Sequence, residues 1–502
     1  MKNLMLIATL LALPLPVVAD GLSFRRPSIT PAPIKLAYEA QTAVRLTDGI
    51  KVSVRCSDDA ASPWVAEKFS AWFGAKPEVR RGDSPATGIG DADGAYRFSA
   101  KPGEITIAAK SLQGVRYAMY TLRQTAERES TGAKLVGYWL PAMEVKDAPA
   151  LGFRGIHLCW FPELSKTFIE HQIRMAAYYK FNYVVLESWG VFRSERHPAL
   201  CVADAPLTVA EAGRLAALAK DLGVTLVPQV NIYGHAAMSR SCGGKHVTLD
   251  VHPEMQPLFE PAGGWNWCLS NPEAKAVLRD FVDEVHAAFG RPPYFHIGCD
   301  EADPPSCPTC RGADSYAALV ARHITEVCEL LKSRGARAMM WHDMLLQKGD
   351  ARWKGFYANG SAEEVKMLGM LPKDVIICDW FYGSVPKEGG YPTLDYFAGL
   401  GFDTVSCPWG NTDGIREQGK YVREHRLFGF LDTVWHHFRG RKFADLMAAA
   451  SQAAWGEGGG AVKTWATPFA VHWRQIGWDM GIKDRREHGY YDEDVTRNIL
   501  DR

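Results

Sequence analysis

From Pro149 onward, short apolar runs alternate with longer stretches whose apolar positions recur every three or four residues. The first pattern is that of strands buried on both faces, and the second that of helices with one wet side. The runs predict strands over 154–157, 183–187, 225–230, 294–298, 337–341, 375–379, 403–407 and 429–434. Helical runs separate them, among them 165–179, 209–222, 272–289, 316–334 and 443–454. Eight strand–helix repeats over about 330 residues argue for a closed (β/α)8 TIM barrel. Before Pro149 the pattern is mixed: 52–55 and 104–108 read as strands, 63–73 and 111–127 as helices, with no charged or Cys/His constellation. Residues 20–148 are therefore expected to form a small α+β scaffold domain, and residues 149–502 a TIM-barrel catalytic domain.

The first residues follow neither pattern. Lys2 supplies a positive start, residues 4–18 an apolar run too short to span a bilayer, and Val17-Val18-Ala19 a small-residue cleavage site. Residues 1–19 are expected to be a signal peptide, with the mature chain starting near Asp20 in the periplasm or beyond. No later run suggests membrane insertion once that signal is removed. Lys+Arg 57 against Asp+Glu 57 gives a formal charge of zero, which argues against a nucleic-acid partner. The 16 Trp and 18 Tyr offer flat faces of the kind a glycan partner would need, although most are expected to be core.

The 11 cysteines are odd in number. Cys159, Cys378 and Cys407 sit alone inside apolar runs, the usual setting of a buried free thiol. Cys307-Pro308-Thr309-Cys310 differs. A short disulfide clip is its first reading, with half a zinc site or a redox pair as alternatives. Lacking a second Cys-x-x-Cys or a close His pair, the chain is expected to require no metal and no organic cofactor.

Chemistry collects where the predicted strands end. Glu187, His235, Asp300, Glu301, Trp341, Asp379, Trp380, Trp409 and Trp435 all fall at or just past a C-terminal strand end, which in a barrel is the active-site rim. Tyr294-Phe295-His296-Ile297-Gly298-Cys299-Asp300-Glu301 runs an apolar strand into two adjacent carboxylates. Where a strand ends the chain turns, so neighbours can escape alternation and aim into one pocket. Like charges held close push one pKa up and leave the other group ionised, giving a proton donor and an anionic stabiliser, the chemistry of glycoside cleavage. A bare Asp-Glu pair would read as a solvated turn or helix start; the preceding strand decides against that here.

Phe153-Arg154-Gly155, His296-Ile297-Gly298-Cys299-Asp300-Glu301, Met340-Trp341-His342-Asp343-Met344 and Val434-Trp435, in that order, resemble glycoside hydrolase family 20, the β-N-acetylhexosaminidases. Gly114 through Gln124 and Leu140 through Asp147 look like the end of that family's non-catalytic domain, and Leu186-Glu187, His197-Pro198 and the Cys-Pro-Thr-Cys after the acidic pair are closer to its hexosaminidase D-like branch. The resemblance covers nearly the whole mature chain. It implies an exo-acting retaining enzyme that releases terminal N-acetylglucosamine or N-acetylgalactosamine, with the substrate's 2-acetamido oxygen as nucleophile. Glu301 would then be the general acid/base, with a raised pKa, and Asp300 the carboxylate on the acetamide N–H. Arg154 would hold sugar hydroxyls, or else make a structural ion pair. Trp341, Trp380 and Trp435 would wall the acetamido pocket or simply pack. His235 would sit behind the acidic pair or serve a structural role, His296 would orient its strand, and Glu187 would bind a hydroxyl or form a salt bridge.

Two departures stand out. The family's acetamide-binding Tyr after the seventh strand is replaced here by Cys407-Pro408-Trp409-Gly410-Asn411, leaving Tyr382 or Asn411 as substitutes, and His436-His437 stand where a sugar-binding carboxylate is expected. Two further readings remain. One is a retaining glycosidase with two protein carboxylates, Glu187 or Asp379 partnering Glu301, acting on a sugar without the acetamido group. The other is a carbohydrate-binding protein without turnover.

Overall fold

The computed structural model describes residues 27–82, 92–131, 134–237, 248–261, 263–383, 390–435, 440–456 and 466–482. The expected signal peptide and His436-His437 lie outside them. The first domain contains β1 (Lys35–Arg45), β2 (Lys51–Arg55), α1 (Ala61–Phe73), β3 (Glu78–Arg81), β4 (Tyr96–Lys101), β5 (Glu104–Ala109), α2 (Leu112–Thr125), β6 (Glu127–Thr131) and β7 (Lys134–Asp147). Its strands form one mixed sheet in the order β1-β7-β4-β5-β2-β3, with β6 on β7. On β4 and β5 buried and wetter positions alternate, the sign of a sheet covered on one side.

The barrel then runs β8 (Phe153–Trp160), α3 (Lys166–Tyr178), β9 (Tyr183–Ser188), α4 (Val209–Asp221), β10 (Thr225–Gln229), the single turn α5 (Thr248–Val251), α6 (Pro272–Ala288), β11 (Tyr294–His296), the single turn α7 (Pro308–Arg311), α8 (Tyr316–Ser333), β12 (Arg337–Trp341), β13 (Ile376–Phe381), α9 (Pro392–Gly399), β14 (Asp403–Pro408), α10 (Thr412–Glu424), β15 (Gly429–Thr433), α11 (Gly440–Trp455) and α12 (Ala466–Asp479). The eight strands β8 to β15 are parallel and close on themselves, as the expected TIM barrel requires. Local chemistry starts the helices. Ser165, Thr208, Asn271, Ser315 and Asn411 each accept a backbone N–H of the first turn, and Thr208 with Glu211 completes a capping box. Each such cap contributes about 1 kcal/mol.

Inside the barrel the layers are read from strand parity. Phe153 stacks on Tyr183 with ring centroids 4.4 Å apart, and with Tyr294 and Phe428 they close the N-terminal pole with an aromatic plug. Val185, Val227, Met339, Ile376, Val405 and Leu431 fill the middle. Trp341, Cys378, Trp380 and Cys407 lead to the C-terminal mouth.

Parity also corrects two expectations. Phe153 lies in the barrel interior while Ile156 and Leu158 join the surrounding core, so Arg154 faces outward at the start of a strand that ends six residues later at Trp160. Its guanidinium donates to Lys180 O, Leu151 O and the Tyr117 hydroxyl, at the pole opposite the mouth. It holds the two domains together and does not reach a sugar. Asp379 likewise points away from the interior residues Cys378 and Trp380, and lies 3.3 Å from His342 Nε2. Burial pushes its carboxyl up to about 7, against a Thr393 hydrogen bond that lowers it. A two-carboxylate site built from Asp379 and Glu301 is therefore ruled out.

The domain joint is polar and centred on one buried ion pair. Lys180 Nζ donates to Asp147 Oδ2 at 3.1 Å and to the Tyr96 hydroxyl at 2.9 Å, while Asp147 Oδ1 accepts from Trp455 Nε1 at 2.8 Å. Helix α2 lies within this joint: eleven of its fourteen residues are buried, Tyr120 donates to Leu222 O, and Gln124 to Thr30 O and Tyr178 O.

Candidate active site

The apolar run before the acidic pair becomes a strand for only three residues, Tyr294–His296. Gly298, Cys299 and Glu301 then take positive φ of 66°, 78° and 46°. That is how neighbours escape alternation. A Cβ on Gly298 would meet Asn231 Oδ1 at 2.0 Å, and one on Gly234 would meet Asp300 O at 2.3 Å, so both glycines are needed for the loop 231–235 to lie against the acidic turn. The strained backbone is pinned from below. Asp343 is fully buried, and its Oδ2 accepts from Glu301 N at 3.0 Å and from Asn359 Nδ2 at 2.9 Å. From the side, Trp265 Nε1 donates to Glu301 O at 2.6 Å.

The two carboxylates end in different surroundings. The Asp300 side chain is 8% exposed and that of Glu301 52%. His235 Nε2 lies 3.4 Å from an oxygen of each, joining them through one imidazole. Burial works against a charge on this ring, but the Asp300 charge and the hydrogen bonds to Asp300 and Glu301 outweigh it and raise His235 well above its ordinary 6.5. The same contact holds Glu301 below the ordinary carboxylate value, against a smaller contribution from burial. The upward shift expected of Glu301 thus falls on His235 instead. A carboxyl that is raised lies beneath them, where burial and the nearby Asp300 charge bring Asp343 to about 6.

Around the acidic turn the mouth divides in two. Strands β8 to β11 supply polar groups. Glu187 is buried, with Oε1 accepting from Asn231 Nδ2 at 2.7 Å and Oε2 lying 3.2 Å from His157 Nε2. Burial would raise it, but the His157 and Asn231 hydrogen bonds win and hold it at about 2. Both Glu187 oxygens are thus engaged by neighbouring side chains. His296 orients its turn, accepting from Gly298 N at 3.1 Å, and packs 4.3 Å from the Trp341 ring.

Strands β12 to β15 supply rings. Trp341 and Trp435 lie 5.4 Å apart, Trp380 stacks on Tyr382 at 5.1 Å, and Trp409 meets Tyr382 edge-on at 5.4 Å. The indole nitrogens of Trp341 and Trp380 are buried without a hydrogen-bond partner among the described residues. Of the two substitutes for the missing Tyr, Asn411 is committed as the cap of α10, accepting from Asp413 N and Gly414 N. Tyr382 stands in the aromatic wall.

Sequence reasoning missed several groups here. Asp343 and Asn231 sit beside recognisable site residues, yet nothing in their spacing reveals their part. His157 hid inside an apolar strand. Trp265 and Tyr357, whose ring lies 4.1 Å from that of Trp380, come from long loops with no periodic signal.

The family model described as "Glycosyl hydrolase family 20, catalytic domain" matches residues 165–385, and that for "family 20, domain 2" matches 26–148. The "Beta-hexosaminidase" of Porphyromonas gingivalis is 23% identical over 499 residues, covering 84% of this chain. The chain spans 62% of that relative's length. Among solved structures, the GH20 exo β-N-acetylglucosaminidase of Vibrio harveyi, crystallised with N-acetylglucosamine, superimposes with a TM-score of 0.67 at 16% identity, over 93% of this chain and 80% of that one. The β-N-acetylhexosaminidase of Bacteroides fragilis gives 0.64 at 18% identity, over 91% and 96%. At such identities the likeness is one of fold.

Proposed function

We propose, from the premise that this chain belongs to glycosyl hydrolase family 20, that it is an exo-acting retaining β-N-acetylhexosaminidase working by substrate assistance. The observation that carries this reading is the unequal pair: adjacent carboxylates, one buried and one half-exposed at the rim. Adjacent residues cannot readily straddle a scissile bond as two carboxylates about 5–5.5 Å apart do in ordinary retaining enzymes. One therefore serves the leaving group and the other the acetamide.

In this reading the 2-acetamido oxygen attacks C1 as the C1–O bond breaks, and the departing oxygen takes a proton from Glu301. Asp300 accepts the acetamide N–H and stabilises the oxazolinium ion as its charge develops. Water then opens that ring at C1, giving its proton to the Glu301 carboxylate and restoring the acetamide. Trp341, Trp380, Trp409 and Trp435 enclose the acetamido group, with the Tyr382 hydroxyl at its carbonyl oxygen. His235 lies 3.4 Å from Glu301 and, with its raised proton affinity, is placed to exchange a proton with it. Glu187, pinned by His157 and Asn231, is no free nucleophile, which weighs against the two-carboxylate alternative.

A panel of 4-nitrophenyl glycosides tests the reading. Turnover confined to 2-acetamido sugars is expected; hydrolysis of 2-hydroxy sugars would replace it with the two-carboxylate mechanism, and silence on all with a binding protein. Export is proposed on the Lys2, apolar-run and Ala19 pattern. N-terminal sequencing of the periplasmic protein should begin at Asp20. Among the described residues no helix is long and apolar enough to cross a membrane.

A further inference from the structure

Cys307 and Cys310 were expected to form a disulfide clip, but both are free thiols and they face a third, Cys268, more than thirty residues earlier in the chain. Cys268 Sγ lies 3.9 Å from Cys310 Sγ. A disulfide needs about 2.05 Å between sulfurs. Thiolates on a tetrahedral zinc, at about 2.3 Å from the metal, stand about 3.8 Å apart.

The fourth member is Glu260. One ligand atom from each of Glu260, Cys268, Cys307 and Cys310 falls within a mutual 4.8 Å. Glu260 is 4% exposed, and its Oε2 already accepts from Ser306 N at 2.9 Å, Ser306 Oγ at 3.1 Å and Cys307 N. Its Oε1 is buried with no partner among the described residues. A buried carboxylate oxygen left bare in that position is best met by a cation. Ser270 Oγ lies 3.1 Å from Cys310 Sγ and 3.5 Å from Cys268 Sγ, placed to donate to a thiolate from outside the ligand set.

We propose that Cys268, Cys307, Cys310 and Glu260 bind one zinc ion, closing a tetrahedral S3O site that ties together the two loops flanking Glu301. Three thiolates and one carboxylate leave no open position, so the metal is structural, and soft sulfur ligands select zinc over calcium or magnesium. The first loop carries Phe259, which bridges to Trp267, and between them Trp265, whose indole holds Glu301 O. The second loop follows Glu301 itself, and Asn266 already clasps Asp303 through two hydrogen bonds of 2.6 and 3.1 Å. The ion would fix the far ends of both loops.

The full chain, purified without added metal or chelator, should carry one zinc per chain by elemental analysis. Replacing it with cobalt should give the visible bands of a tetrahedral ion together with thiolate charge-transfer absorption. Cys310→Ser should drop zinc to background. Should that variant fail to fold, Glu260→Gln keeps the three sulfurs and should shift the cobalt bands and speed zinc release to a chromogenic chelator; unchanged bands and release would overturn the assignment. Chelator should also open three additional thiols of the wild-type protein to alkylation. Metal-free protein whose unreduced peptide map shows Cys310 bonded to Cys307 or Cys268 would overturn the site in favour of a disulfide. None of these readouts depends on hydrolysis, so their failure would leave the proposed activity standing.

Discussion

The two poles of the barrel both bury charge, and they do opposite things with it. At the N-terminal pole Lys180 and Asp147 form an ion pair with neither side chain exposed, and Tyr96 and Trp455 hydrogen-bond to it. At the C-terminal mouth Asp300 and Asp343 are both acidic and both buried, and each keeps one oxygen without a hydrogen-bond partner among the described residues. Pairing of opposite charges makes a rigid joint. A buried carboxyl beside a like charge has its proton affinity raised, as Asp343 does, the kind of shift acid–base work uses.

The joint is the pole where a single substitution costs most. Lys180→Met leaves Asp147 buried and unpaired and should cost about 3–5 kcal/mol of stability in urea denaturation, while turnover per folded molecule stays unchanged. Adding Asp147→Asn should recover much of the loss; no recovery would mean the site is sensitive to packing rather than to charge. Glu301→Gln should do the reverse, leaving stability alone and lowering kcat/KM for poor leaving groups by about 10² or more, with activated leaving groups suffering less. Equal losses for both classes would remove Glu301 from its role.

Asp300→Asn should weaken the thiazoline analogue of N-acetylglucosamine, a mimic of the bicyclic intermediate, by about 1.5–3 kcal/mol in inhibition assays. Asp343 offers a subtler test. Its folded-state pKa is raised to about 6, so between the unfolded value near 4 and this one the native state holds a proton the unfolded chain has lost. Stability from this group is full below that window and falls as pH rises through it. Asp343→Asn should therefore match wild type at low pH and exceed it above about 6. The smallest effect is expected from His235→Gln, which leaves Glu301 to titrate alone and should move the basic limb of kcat/KM to lower pH; an unmoved limb would show that the two share no proton.

Much of this was legible in the sequence. All eight barrel strands were, because short apolar runs between amphipathic stretches fit few architectures besides a closed parallel barrel. So was the acidic pair at a strand end. Arg154 was misplaced because a strand buried on both faces carries no alternation to reveal which side is inside. The motif around it is plain, but its parity is hidden. The full extent of β8, to Trp160, put His157 rather than Arg154 within reach of Glu187. Cys268 escaped for a different reason: nothing in local spacing connects it with Cys307, and only the fold of two loops brings them together.

Helix α2 belongs to both cores at once. A protein assembled by exchanging cassettes would need a seam, and here the boundary after Asp147 is not one. Expressed without the residues before it, the barrel would lose the partner of Lys180 and the hydroxyl that Arg154 holds, and the faces of Leu222 and Tyr178 that α2 covers would meet water. The first domain and the barrel share one hydrophobic core.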